Sequence, residues 1–368
     1  MTSNPKAISL FSGMGGDTLG MMNAGCKIIA FNEFDKHAIN SHQLNFPGST
    51  LICDASQKKE KDKTNIQLIP DSVFSAYKGQ VDLIFSGNPC QGYSQAGKKL
   101  PDDPRNTLFR EFARTARLIQ PKFIIGENVD GLLSRKTVTG ENYIDVIVAE
   151  FEKIGYNITY QVCHTVKYGI PQLRKRLIIV GIRKDLDKTF VFPEPLNDGK
   201  TNLPNLLNII KFNMEGAIKI EPDDFDMTTI APECILTDMD NDDGEDTNNI
   251  HPYLRLKAKT RNETYDGKTH KNLLSFSKRD SPIHAEIIDI RNPSKTIICT
   301  YDHQPRLFVP LKNKNGYFLR CILPDELKQI QGFPSDFQLS GTKKDKIKQI
   351  GNAVPPPLIT QIVKKLIN

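Results

Sequence analysis

Tryptophan is absent, and cysteine is scarce: seven in 368 residues, at positions 26, 53, 90, 163, 234, 299 and 321. The number is odd and no two form a Cys-x-x-Cys pair, so neither a zinc framework nor a disulfide scaffold is expected; reduced thiols in an intracellular compartment are. No apolar run approaches the ~20 residues of a membrane span. The opening Met-Thr-Ser-Asn-Pro-Lys lacks the organisation of a signal peptide. Internal repeats and low-complexity tracts are also missing. What is present is enough apolar material, 38% of residues, for a real core. The length suits two domains, or one large domain with an insertion.

Net charge is only +6, but it is unevenly spread. Residues 215–246 carry twelve acids and one lysine, which leaves +17 for the rest of the chain. Residues 251–284 hold eight Lys/Arg against three acids. A chain that basic outside one acidic segment is suited to a polyanion such as nucleic acid, or simply to a solvated surface.

Short apolar runs alternate with helical periodicity in the first half. Ala7–Phe11, Cys26–Phe31, Val81–Phe85, Lys122–Ile125, Tyr156–Thr165 and Arg176–Ile182 read as strands. Asp17–Gly25, Arg105–Ile119 and Tyr143–Ile154 read as helices. The alternation predicts an α/β fold with a mostly parallel, doubly wound sheet. Residues 190–250 break the rhythm. Regularity returns at Thr296–Ile298 and in a terminal helix, Leu358–Ile367, with Pro355–Pro357 expected to exclude helix before it.

Three stretches carry chemistry. The first is Phe11-Ser12-Gly13-Met14-Gly15-Gly16, a glycine turn between a strand and a helix, where backbone can approach a ligand at the helix N-terminus. Glu33 follows the second strand, where an acid can take a ribose. A dinucleotide site would need a small third residue where Thr18 stands, so a nucleoside-like ligand such as S-adenosylmethionine fits better than NAD. The second stretch is Ser86-Gly87-Asn88-Pro89-Cys90-Gln91-Gly92-Tyr93-Ser94 after an apolar strand. Cys90 there is a nucleophile, or a thiol that merely caps a strand. The third comprises Glu127, after the strand 122–125, and the arginines of Gln172-Leu173-Arg174-Lys175-Arg176, which at spacing two share one face of an extended chain.

Taken in order, FSGMGG, NEFD, PCQGYS, ENVDGLL, QLRKR, RNPSKTI, QGFP and GNAVPP resemble the motif series of the cytosine-C5 DNA methyltransferases of restriction-modification type, over residues 7–357. Asn88 departs from the proline or small residue usual there, while the Pro-Cys pair is intact. The resemblance implies an S-adenosylmethionine-dependent, Rossmann-like mixed sheet over 1–188, completed by 345–368. A smaller domain over 189–320 would contain a target-recognition region at about 195–285, with a hinge at 321–344. It implies Cys90 as nucleophile on cytosine C6, Glu127 as donor to N3, Arg176 at O2, and Arg174 on the loop or a phosphate. Around S-adenosylmethionine it implies Phe11, Gly13, Met14, Gly15, Gly16, Glu33, Phe34, Asp54, Pro89, Asn352 and Val354, with S-adenosylhomocysteine as product. On duplex DNA, read by flipping out the base, it implies Gln91 and Ser94, with Arg255, Arg261 and Arg279 as candidate base readers. Arg291 is expected to brace the smaller domain, and the acidic run 221–246 to lie away from DNA or in a mobile loop. A monomer in the cytoplasm of a prokaryote or virus-infected host is expected, no membrane being involved and any cognate restriction endonuclease acting separately. The alternatives are a transfer-RNA cytosine methyltransferase and a non-catalytic DNA-binding homologue.

Overall fold

The structure, a computed structural model, describes residues 4–88, 108–137, 139–220, 227–240, 286–302 and 305–368, with four short strands between 256 and 276. Its centre is a seven-stranded sheet. The strands are β1 (Lys6–Leu10), β2 (Lys27–Asn32), β3 (Thr50–Leu51), β4 (Leu83–Ser86), β5 (Phe123–Asn128), β6 (Tyr156–His164) and β8 (Lys175–Arg183). Their order is β3-β2-β1-β4-β5-β8-β6. The first five run parallel, and β8 is antiparallel to both β5 and β6. The sheet is therefore mixed, with the parallel majority that the βα alternation predicts.

Both faces of this sheet are covered, which is why β1 and β4 read as continuous apolar runs. Alternation sends Ile8, Leu10, Ile84 and Ile124 to one face and Ala7, Leu83, Phe85 and Ile125 to the other. On the first face lie α5 (Phe109–Ile119) and α6 (Tyr143–Lys153). Their stripes Phe112, Ala116, Ile119 and Ile144, Ile147, Phe151 recur at helical spacing. On the second lie α1 (Gly16–Asn23) and the terminal α9 (Pro356–Ile367). These two helices close tightly because Gly20 has no side chain: a Cβ there would sit 2.6 Å from Ile359 Cβ. Helix α2 (Lys36–Asn45) follows β2, and the short α3 (Glu60–Lys63) and α4 (Asp71–Ser75) follow β3.

One expectation about the terminal helix is corrected. Pro356 and Pro357 do not precede α9; they form its first turn. Proline is tolerated there because a first-turn amide has no intrahelical partner and the ring already holds a helical φ. Similarly, Thr296–Ile298 is not a strand, although β16 ends just before it.

A second sheet has the order β10-β17-β18-β9, with β15 also on β17. Its strands are β9 (Ile218–Ile220), β10 (Leu236–Thr237), β15 (Glu286–Ile287), β17 (Leu307–Asn313) and β18 (Gly316–Cys321). Strands β11 (Leu256–Lys257), β12 (Glu263–Tyr265), β13 (Lys268–His270) and β14 (Ser275–Phe276) form two separate antiparallel pairs. Leu311 and Phe318 pack with Leu327 and Ile330 of α7 (Pro324–Ile330) and Ile347 and Ile350 of α8 (Lys343–Asn352). Met14 and Phe46, from the first sheet's side, join the same cluster, so one apolar core runs from one sheet to the other. A parallel pair of two-residue strands, β7 (Gln172–Leu173) with β16 (Ser294–Lys295), makes a second join. At the base of the second sheet Arg320, fully buried, holds both oxygens of Glu326 at 2.8 and 2.7 Å and the Lys211 carbonyl at 2.8 Å. Such a buried fork fixes geometry more surely than it adds stability. Arg291 lies 2.9 Å from Asp289 and 3.4 Å from Cys234 Sγ.

Candidate active site

The carboxyl ends of β1, β2, β4 and β5 lie side by side, the edge at which open α/β sheets bind ligands. At the end of β1 the chain turns through Phe11 and Gly13, both with positive φ (52° and 54°), and then Gly15 at 98°. Glycine is required at 15 and 16 for space as well. A Cβ on Gly15 would meet Phe46 at 2.3 Å, and one on Gly16 would meet the Val354 carbonyl oxygen at 2.0 Å. Val354 arrives from the far end of the sequence and is 8% exposed, whereas Asn352 is exposed. Gly13 is different: nothing lies within 4 Å of its missing Cβ, so the turn is open on that side.

Glu33 braces this turn. Its Oε2 accepts from the Gly13 amide at 2.7 Å, and its Oε1 from the amides of Phe34 and Asp35 at 2.7 and 2.8 Å. Burial pushes its carboxyl above the usual range, with the three amides pulling the other way. Three of about four acceptor positions are thus taken by backbone. One is left open to a donor from outside the chain. Phe34 is 55% exposed and offers a free ring face. Asp54 points its oxygens at Ser56 and at Gln57 Nε2 (2.8 Å), and those bonds hold its carboxyl below the usual range. Met14 is buried beneath the turn.

These residues fit S-adenosylmethionine. The open side of Gly13, the exposed Phe34 ring and the buried Ser12 hydroxyl, without a partner among the described residues, leave room and hydrogen-bonding capacity for a nucleoside and an amino-acid tail. Glu33→Ala is expected to weaken cofactor binding by about 1.5–3 kcal/mol, and Glu33→Gln by less, since it keeps an acceptor. Calorimetric affinities unchanged in both variants would leave Glu33 with bracing alone.

Two strands along the edge from β1, Glu127 lies next to the end of β5. Arg176, near the start of β8, places Nε 2.7 Å from Glu127 Oε1; the two side chains are 13% and 12% exposed. The carboxyl therefore sits against a guanidinium rather than alone in an apolar pocket. The pairing follows from register: Glu127 and Asn128 oppose Ile178 and Leu177, so residues before 177 project past the end of β5.

Arg174 departs from the sequence reading. It does not share a face with Arg176. It is 3% exposed and donates to the carbonyls of Ile297 and Gly351, both at 3.0 Å, and Ala353 at 3.5 Å. The reason is that residue 174 lies between β7 and β8 rather than inside one strand, so the alternation of a straight strand does not apply. Its guanidinium holds the backbone of the segments around 297 and 351–353.

Two features escaped the sequence reading. A buried amide chain runs from the Ile297 amide to Gln172 Oε1 (3.1 Å), from Gln172 Nε2 to Gln331 Oε1 (2.5 Å) and from Gln331 Nε2 to the Ala353 carbonyl (2.5 Å). It ties QLRKR, RNPSKTI, QGFP and GNAVPP into one support beneath the edge. The available signal was a glutamine at an otherwise apolar position in two of those motifs. The other feature is Asp17, 2% exposed in the first turn of α1 and bonded to Ser9 Oγ. Burial pushes its carboxyl up to about 7. Folding therefore favours its protonated form, and this contribution is lost as pH rises from about 4, the ordinary value, to about 7. Asp17→Asn is expected to stabilise the protein by a few kcal/mol at pH 8 and by much less at pH 4.5. Urea unfolding at the two pH values checks this, and an equal effect at both refutes it.

Cys90, Pro89, Gln91 and Ser94 lie outside the described residues, as do Arg255, Arg261, Arg279 and residues 221–226 and 241–246 of the acidic run. The described chain before Pro89 ends at the same edge: the Gly87 amide donates to the Leu10 carbonyl at 3.1 Å, and Ser86 Oγ bonds Asn88 at 2.6 Å.

The seven-stranded sheet, parallel but for β8, matches the fold of cytosine-C5 methyltransferase structures. The chain belongs to the C-5 cytosine-specific DNA methylase family, whose model matches residues 5–368, and it is an enzyme of that type. It is 31% identical to the Type II methyltransferase M.FnuDI of Fusobacterium nucleatum, over 98% of this chain and 94% of that one. It is 30% identical to the Type II methyltransferase M1.HphI of Haemophilus parahaemolyticus, over 98% and 86%. Among solved structures, a putative DNA modification methyltransferase encoded within an E. coli prophage is 25% identical, with a TM-score of 0.60 and 99% of each chain covered. A Spodoptera frugiperda DNMT2 mutant, 17% identical with a TM-score of 0.65 over 99% and 100%, shares the fold.

Proposed function

We propose that this enzyme methylates C5 of a cytosine flipped out of a specific duplex DNA site, through a covalent bond from Cys90 to C6. S-adenosylmethionine, when bound at the glycine turn, supplies the methyl group. The observation that carries the reading is the Glu127–Arg176 pair at 2.7 Å on the sheet edge from which the Cys90 segment departs. Cytosine C5 is too electron-poor to take a methyl group unaided. Addition of the Cys90 thiolate at C6 makes it nucleophilic. Arg176 parts from the Glu127 carboxylate as the base enters and meets the ring O2, while Glu127 takes up a proton from solvent, passes it to N3 as Cys90 adds, and takes it back when Cys90 leaves. After transfer, loss of the C5 proton expels Cys90 and restores the ring. Arg174 and the Gln172–Gln331 chain keep the support under these groups rigid. Residues of about 195–285 choose the site; their basic part positions the phosphates. A cognate endonuclease that cuts the same site unmethylated is the expected partner activity.

The test is transfer of tritiated methyl from S-adenosylmethionine to duplex DNA and to transfer RNA, followed by sequencing of methylated cytosines. Label in duplex DNA at one short motif supports the reading. Label confined to transfer RNA, or none in either, overturns it.

A further inference from the structure

Beyond the carboxyl end of β5, between the β7–β16 join and the start of β17, lies a cavity of about 340 Å³ that Leu173, Lys295, Thr296, Tyr301 and Arg306 help to line. Its position follows from the register above: Leu173 stands three residues before Arg176, past the end of the large sheet, and is 49% exposed. Most of the polar groups on its wall are satisfied within the protein. Thr296 Oγ1 donates to the Leu173 carbonyl at 2.7 Å, Tyr301 OH donates to the Leu307 carbonyl at 2.5 Å, and Lys295 is ion-paired with Glu286. Arg306 is the exception. It is half-buried, its carbonyl is taken by the Glu286 amide at 2.7 Å, and its guanidinium meets no anion among the described residues. Burial draws that guanidinium below its ordinary range, as expected of a partly desolvated cation without a counter-charge. The cavity thus combines a free fork of donors with an apolar wall, Leu173 and Ile298, beside the catalytic edge.

We propose that Arg306 holds a backbone phosphate of the DNA strand next to the target cytosine, with the adjoining sugar against Leu173. The assignment rests on the functional reading above. It makes Arg306 a positioning residue: a guanidinium binds a phosphate through two parallel N–H bonds and carries no base preference. It also extends the DNA contact beyond residues 195–285, to the join between the two sheets.

The experiment measures DNA affinity against salt concentration for wild type, Arg306→Ala and Arg306→Lys, with calorimetric affinity for S-adenosylmethionine alongside. Loss of one phosphate contact is expected to lower the slope of log K against log salt by about 0.9 in Arg306→Ala. Cognate and non-cognate duplexes should weaken alike, cofactor affinity should be unchanged, and Arg306→Lys should keep most of the slope because it keeps the charge. An Arg306→Ala slope equal to wild type overturns the inference, as does a loss confined to the cognate sequence, which would make Arg306 a base reader. Either result leaves methyl transfer by wild type intact, so it is distinguishable from failure of the functional reading, in which wild type does not modify duplex DNA at all.

Discussion

Cys90→Ser is expected to abolish methyl transfer, to below about one ten-thousandth of wild type, the scale on which removing a covalent nucleophile acts. The reason is chemical. A thiol of ordinary pKa ~8.5 is a few per cent ionised at neutral pH, and that fraction is strongly nucleophilic. A serine hydroxyl in the same place has no comparable ionised fraction and no base beside it in the proposed scheme. S-adenosylmethionine and DNA affinities should change little, because the substitution is nearly isosteric. With 5-fluorocytosine in the target, wild type should be trapped covalently, since fluorine cannot leave as a proton does. Peptide mapping of that adduct to a residue other than Cys90, or trapping that survives in Cys90→Ser, would falsify the assignment.

Arg174→Ala should produce the other large effect, on stability rather than chemistry. Its guanidinium makes two well-placed bonds, to the Ile297 and Gly351 carbonyls at 3.0 Å, in a place where water does not reach. Bonds to a charged group contribute roughly 1.5–3 kcal/mol each, and carbonyls left buried without a donor add a penalty. A loss of about 3–5 kcal/mol is expected. Arg174→Lys should recover only part of it, since an ammonium cannot span carbonyls from two separate segments as a planar fork does. Urea unfolding followed by circular dichroism measures this. A loss below about 1 kcal/mol would mean that the segments around 297 and 351 are held by other contacts.

The contrast between Arg174 and Arg176 shows where reading by pattern stops. They are two residues apart in one motif, yet one guanidinium supports carbonyls from two distant segments while the other faces Glu127. Nothing local separates them; the kink between β7 and β8 does. Glu33 tells a similar story. Its place after β2 was legible, but its engagement with the Gly13, Phe34 and Asp35 amides depends on how the chain folds back over the glycine turn. An acid in the first turn of a helix, as Asp17 is in α1, is ordinarily well placed. Only the packing of α1 and α9 against the sheet shows that it is buried.

The sequence by itself determined six of the seven strands of the large sheet and helices α1, α5, α6 and α9, though not β3 or α2 to α4, because their signals are local: period two or 3.6 in apolar residues, and glycines where φ must be positive or a neighbour must come close. Its ordered motifs determined the family. The tertiary structure alone decided which motifs touch. The Gln172–Gln331–Ala353 chain, the β7–β16 join and the approach of Val354 to Gly16 link residues up to 338 positions apart. Those contacts are set by how two sheets share a core and by which buried polar groups must find partners within it, and no local pattern encodes either.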